Sequence, residues 1–141
     1  MMKRTFYFIF FVGLAGILSC SNQSGNLNQN QEDVQTTKIA ENVSVNEFKK
    51  LITDEVIILD VRRSMEFEAG HLKNAVNIDY FSSDFVQKVT ELDKSKTLLI
   101  YCAAGGRSSG AMSKLSNSGY QVMYNMLGGF GAWKKAGFEY E

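Results

Sequence analysis

The sequence predicts an α/β domain, a mainly parallel sheet covered by helices on both faces. Short apolar runs rich in β-branched residues alternate with segments whose apolar residues recur at helical spacing. The apolar runs are continuous, as in strands buried on both faces. Once the N-terminus is set aside, about Lys38 to Glu141 remains, roughly 100 residues and enough for one core.

The N-terminal stretch "MMKRTFYFIFFVGLAGILSCSN" has Lys3 and Arg4, then an apolar run from Phe6 to Leu18, then small residues. That order is the plan of a secretory leader, and the run is short of the ~20 residues a spanning helix needs. Its end, "ILSC", resembles the lipobox of bacterial lipoproteins, whose cysteine becomes the first mature residue and carries the lipid. The resemblance implies a leader over residues 1–19 and lipidation of Cys20. Ser21, where Asp would retain the protein at the inner membrane, points to the outer membrane of the cell envelope, on its periplasmic side. Residues 20–38 follow as a polar, aperiodic tether, whose last 18 residues span about 20–25 Å root-mean-square. The folded domain is expected over residues 39–141.

Within it, "SVNEFKKLI" has Ser44 and Glu47 at capping-box spacing, followed by Phe48, Leu51 and Ile52 on one helical face. "EVIILD", ending at Asp60, reads as a strand, and "NAVNI" as a second. "SSDFVQKVTELD" reads as a helix with Phe85, Val86, Val89 and Leu92 on one side and Ser82 or Ser83 as cap. "KTLLIYC" is a strand ending at Cys102. "RSSGAMSKLSNSGY" is a helix stopped by Gly119, "QVMYNM" a further strand, and "GGFGAWKKAG" a short terminal helix.

Composition narrows the function. Lys plus Arg and Asp plus Glu both number 15, and no basic block occurs, so nucleic-acid binding has no support. The one histidine, His71, leaves no metal-ligand cluster, and no cofactor is expected. Of two cysteines, lipidation removes Cys20, so Cys102 has no partner for a disulfide or a CxxC pair.

Cys102 ends a strand and precedes a helix, and ligands of parallel sheets bind beyond the carboxyl ends of strands. Backbone N–H groups at such a junction stabilise a thiolate, the nucleophilic form of cysteine. Ala103, Ala104, Gly105 and Gly106 have no bulk to keep those groups from converging on the sulfur, which makes an anion-holding nest. Arg107 adds positive charge at the mouth, and Ser108 is placed to cap the helix. Two other readings fit the same residues. Cys102 can be a small buried hydrophobe. The loop can also be a cysteine-phosphatase cradle, although such loops usually have five residues between Cys and Arg, where this one has four.

Together "LDVRRSMEFEAGHLKNAVNI", "YCAAGGRSSGAMSKLSNSGY" and "MLGGFGAW" resemble a single-domain rhodanese, a sulfurtransferase. The resemblance implies a parallel five-stranded sheet and a Cys102 persulfide. Cys102 would take sulfane sulfur from thiosulfate or a polysulfide or persulfide donor, becoming that persulfide, and pass it to a thiol or cyanide. It casts residues 103–108 as the loop that holds the sulfur, and Asp60 and Arg62 as charged supports of that loop. Glu66, Gly70 and His71 are implied to be mainly structural, as are Gly128, Gly129 and Trp133. Asn74 stands where Gly is usual, a change Asn tolerates through its access to left-handed backbone. Ala103 and Ala104 stand where thiosulfate users often carry polar or charged side chains, leaving Arg107 as the side chain expected to choose the substrate. The uncharged loop equally suits a membrane-tethered persulfide carrier with little turnover, serving a protein acceptor.

Overall fold

Each apolar run that the sequence marks as a strand lies in one sheet, and the segments between them fold as short helices. The structure, a computed structural model, describes residues 37–141. The 1–19 leader, Cys20 and all but the last two residues of the 20–38 tether lie outside the described residues. In chain order the elements are β1 (Ile39–Val43), α1 (Val45–Leu51), β2 (Val56–Asp60), α2 (Ser64–Glu68), β3 (Val76–Asn77), α3 (Phe85–Thr90), β4 (Thr97–Tyr101), α4 (Gly106–Lys114), β5 (Val122–Met126) and α5 (Gly129–Lys135). The five strands are all parallel, in the order β1-β5-β4-β2-β3.

Side chains alternate across a strand, so the central β4 feeds two cores. Leu98, Ile100 and, just past the strand, Cys102 pack with Phe85 and Val89 of α3 and Ala111 of α4. Leu99 and Tyr101 pack on the other face with Phe48 of α1 and Phe130 and Trp133 of α5. Full burial of one such side chain stabilises by about 1.5–3 kcal/mol. The same alternation aims the Cys102 sulfur at the α4 side of the sheet.

The capping box forms as expected: the Glu47 N–H donates to Ser44 Oγ at 3.3 Å and the Ser44 N–H to Glu47 Oε2 at 2.8 Å. Asn74 takes a left-handed φ of +62°, which shortens the expected "NAVNI" strand to Val76–Asn77. Three other expectations are corrected. Neither Ser82 nor Ser83 caps α3; Asp84 holds the N-cap position, and the Ser82 hydroxyl turns to the Asp84 carboxylate instead. Helix α4 ends at Lys114 with Leu115 as C-cap, and Gly119 (φ +97°) serves the turn into β5. Ser108 is not the cap of α4, because Gly105 occupies that position with φ +98°.

Candidate active site

Cys102 follows β4 directly, at the carboxyl edge of the sheet, and is 1% exposed. Its Sγ accepts the Gly105 N–H at 3.1 Å and the Ser108 hydroxyl at 3.4 Å. Ser108 is fully buried, on the first turn of α4, and its hydroxyl also reaches Gly105 O at 3.1 Å. Burial pushes the Cys102 thiol up, but it is overcome by hydrogen bonds from the Ser108 hydroxyl and from the N–H groups of Ser108, Ala104 and Gly105. The net direction is down, toward thiolate.

The loop can turn its N–H groups inward because its carbonyls have partners elsewhere. Cys102 O accepts the Phe130 N–H at 2.7 Å, Ala103 O accepts the Gly131 N–H at 3.0 Å, and Gly105 O accepts the Ser109 N–H at 3.1 Å. The first two donors belong to α5, whose start presses against the loop. A Cβ at Gly129 would overlap Cys102 O and stand 2.8 Å from both the Ala103 carbonyl carbon and the Ala104 nitrogen. Gly129 also has φ +53°, so glycine is required there twice over. The "GGFG" segment is thus part of the site's scaffold.

Arg107 is paired with a carboxylate rather than free. Its two terminal nitrogens bind the two Glu66 oxygens at 2.7 and 2.8 Å, tying α4 to α2. Arg107, ahead of a smaller contribution from the Arg63 N–H and against partial burial, holds the Glu66 carboxyl down at about 2. The pair is close to neutral in sum, although Cys102 as well as Glu66 favours the charged form of Arg107.

Asp60 and Arg62 are both buried and pair with each other, not with the loop. Arg62 Nε lies 3.0 and 2.9 Å from the two Asp60 oxygens, and Nη2 lies 2.6 Å from Oδ2 and 2.7 Å from Gly70 O. Their support of the loop is indirect: the Arg62 guanidinium stacks 4.3 Å over Phe130, whose N–H holds Cys102 O.

His71 is framework. Its ring stacks on Phe67 at 3.7 Å, Nδ1 lies 3.0 Å from Phe67 O, and its backbone exchanges two hydrogen bonds with Glu141. Ala104 and Gly106 are exposed beside the sulfur, and Ala103 is half-buried. Sequence reasoning missed the Glu66–Arg107 pair and the role of the Phe130 and Gly131 N–H groups. The one signal for the latter was two adjacent glycines after a strand.

The likeness to known proteins runs over most of the described residues. A family model described as "Rhodanese-like domain" matches residues 44–136. Protein HIGH ARSENIC CONTENT 1, mitochondrial, of Arabidopsis thaliana is 36% identical over 74% of this chain and 68% of its own length. Thiosulfate sulfurtransferase 16, chloroplastic, of the same plant is 29% identical over 73% of this chain and 94% of its own. The crystal structure of a rhodanese-related protein from Thermoplasma volcanium superposes with a TM-score of 0.64 at 27% identity, covering 72% of this chain and 97% of that one.

Proposed function

Because this chain belongs to the rhodanese-like domain family, we propose that it is a sulfurtransferase working through a persulfide on Cys102. The observation that carries the reading is the Cys102 sulfur itself, buried yet bonded by the Gly105 N–H and the Ser108 hydroxyl at the head of α4. The thiolate attacks the outer sulfur of a donor. The new Sγ–S bond forms as the donor's S–S bond breaks, and the electron pair leaves with sulfite from thiosulfate, or with a thiolate from an organic persulfide. An acceptor thiolate or cyanide then attacks the outer sulfur, and the Cys102 thiolate is regenerated. No oxidant or reductant is consumed. The lowered thiol pKa supplies the nucleophile without a general base, which fits a His71 engaged elsewhere.

The full chain, given thiosulfate or an organic persulfide and then cyanide or a thiol, should turn over many equivalents. Failure to consume any of these donors contradicts the reading.

A second reading, a persulfide carrier that docks a protein acceptor, is favoured by exposed apolar side chains on three carboxyl-edge segments. Met65, Phe81 and Leu127 are 82, 61 and 51% exposed. Rapid transfer to one protein, with slow transfer to cyanide and small thiols, distinguishes carriage from turnover. The proposal includes an exported, lipid-anchored setting at the outer membrane, supported by the leader-like residues 1–19 and the lipobox ending at Cys20. A diacylglyceryl group on Cys20 in intact-protein mass spectra tests it.

A further inference from the structure

Within the 102–108 loop, Arg107 has the one side chain with a fixed charge; its neighbours are alanines, glycines and a serine. It interacts with the Cys102 sulfur, which like Glu66 favours its charged form. Both of its Nη atoms are nonetheless taken by the two Glu66 oxygens, at 2.7 and 2.8 Å. Glu66 is held in place from its other side by the Arg63 N–H, which donates to Oε2 at 3.2 Å. These donors keep the Glu66 carboxyl ionised down to about pH 2, so its negative charge accompanies Arg107 at any working pH. Arg62, stacked on the Phe130 that holds the loop, is matched in the same way by Asp60 at 2.6 Å. A guanidinium has five N–H donors and Glu66 takes two, so hydrogen bonding toward the sulfur survives while the net charge is cancelled.

We infer that Glu66 sets the charge of the sulfur donor: by cancelling Arg107 beside the sulfur, it favours singly charged donors, such as organic persulfide anions, over doubly charged thiosulfate. This rests on the sulfurtransferase reading above and adds the class of donor. Glu66 acts through Arg107 and touches no reacting atom, so it is a positioning residue. The pull on an incoming anion is the difference of two opposed Coulomb interactions, from charges less than 3 Å apart. That loss scales with the donor's charge, so thiosulfate forfeits twice what a single charge forfeits. With a persulfide anion the Sγ–S bond forms as the donor's S–S bond breaks. The electron pair leaves with the organic thiolate, and the transferred sulfur keeps its negative charge under the Arg107 N–H groups.

The test pairs thiosulfate with methanethiosulfonate, which has the same S–S bond and a methyl group in place of one charged oxygen. Its leaving group is methanesulfinate where that of thiosulfate is sulfite. In the full chain Glu66→Gln should lower KM about fivefold for thiosulfate and about twofold for methanethiosulfonate, a factor of about two per unit of charge. Glu66→Asp keeps the carboxylate and should keep the wild-type ratio of the two donors. An equal change for both donors in Glu66→Gln, or none, overturns the inference. Alkylation of Cys102 by iodoacetate, an anion, against neutral iodoacetamide gives a readout without sulfur transfer. Both reagents consume the same thiolate, so the ratio of their rates, read at Cys102 by peptide mass spectrometry, cancels the thiol's own reactivity. That ratio should rise about twofold in Glu66→Gln and fall below wild type in Arg107→Ala, where Glu66 is left unmatched. A ratio indifferent to Glu66, in protein shown to be folded by circular dichroism, overturns the inference. A ratio that responds supports it even where no sulfur moves, and absence of transfer from either donor then counts against the sulfurtransferase reading itself.

Discussion

A methyl group added at Gly129 would collide with the Cys102 carbonyl oxygen and crowd the Ala103–Ala104 peptide, at a φ that disfavours any L side chain. Gly129→Ala should lower stability by about 1–3 kcal/mol in urea unfolding and slow Cys102 alkylation, because the loop must move away from α5. Ser108 is a separate lever. Its hydroxyl is one of the hydrogen bonds that draw the Cys102 thiol down against burial. Thiolate forms as pH rises through the thiol pKa, so wild-type alkylation by iodoacetamide should follow a limb below the ordinary thiol range near 8.5. Ser108→Ala should move that limb to higher pH with the plateau rate little changed. A limb that stays in place assigns the lowering to the backbone N–H groups alone.

Between elements, the tie of α2 to α4 through Glu66 and Arg107 is the feature with the clearest consequences. Glu66→Gln should free Arg107 and lower KM for thiosulfate by about fivefold, the effect of roughly 1 kcal/mol of charge. Since the folded pKa of Glu66 is depressed from 4.5 to about 2, its contribution to stability is full above 4.5 and is lost as pH falls toward about 2. Wild type should lose more stability across that window than Glu66→Gln, as read by urea midpoints at several pH values. The main elements were legible because their signals are local: the Ser44–Glu47 box, the run into Asp60, and the four small residues after Cys102. Strand β1 was not, because it lies at the sheet edge with Ala40, Glu41 and Asn42 exposed, so no apolar pattern marks it. Helix α2, only five residues from Ser64 to Glu68, has no buried residue and no helical stripe to read. The partner of Arg107 was hidden for another reason: 41 residues separate it from Glu66, and only the fold brings them together.

Across the whole molecule, two packed faces and the α5 start converge on one sulfur. The sheet order sets β4 between β5 and β2, so the segments after all three strands surround Cys102. The β5 side supplies Gly129 and the Phe130 and Gly131 N–H groups. The β2 side supplies the buried Asp60–Arg62 pair and Glu66. The proposed function requires this arrangement to hold a sulfane sulfur on Cys102. Its most direct test is the intact mass of the full chain after exposure to thiosulfate or an organic persulfide, followed by treatment with cyanide. The expected result is a gain of one sulfur atom, located on Cys102, lost on adding cyanide and absent in Cys102→Ser. A wild-type mass that never changes, or a gain that persists in Cys102→Ser, contradicts it.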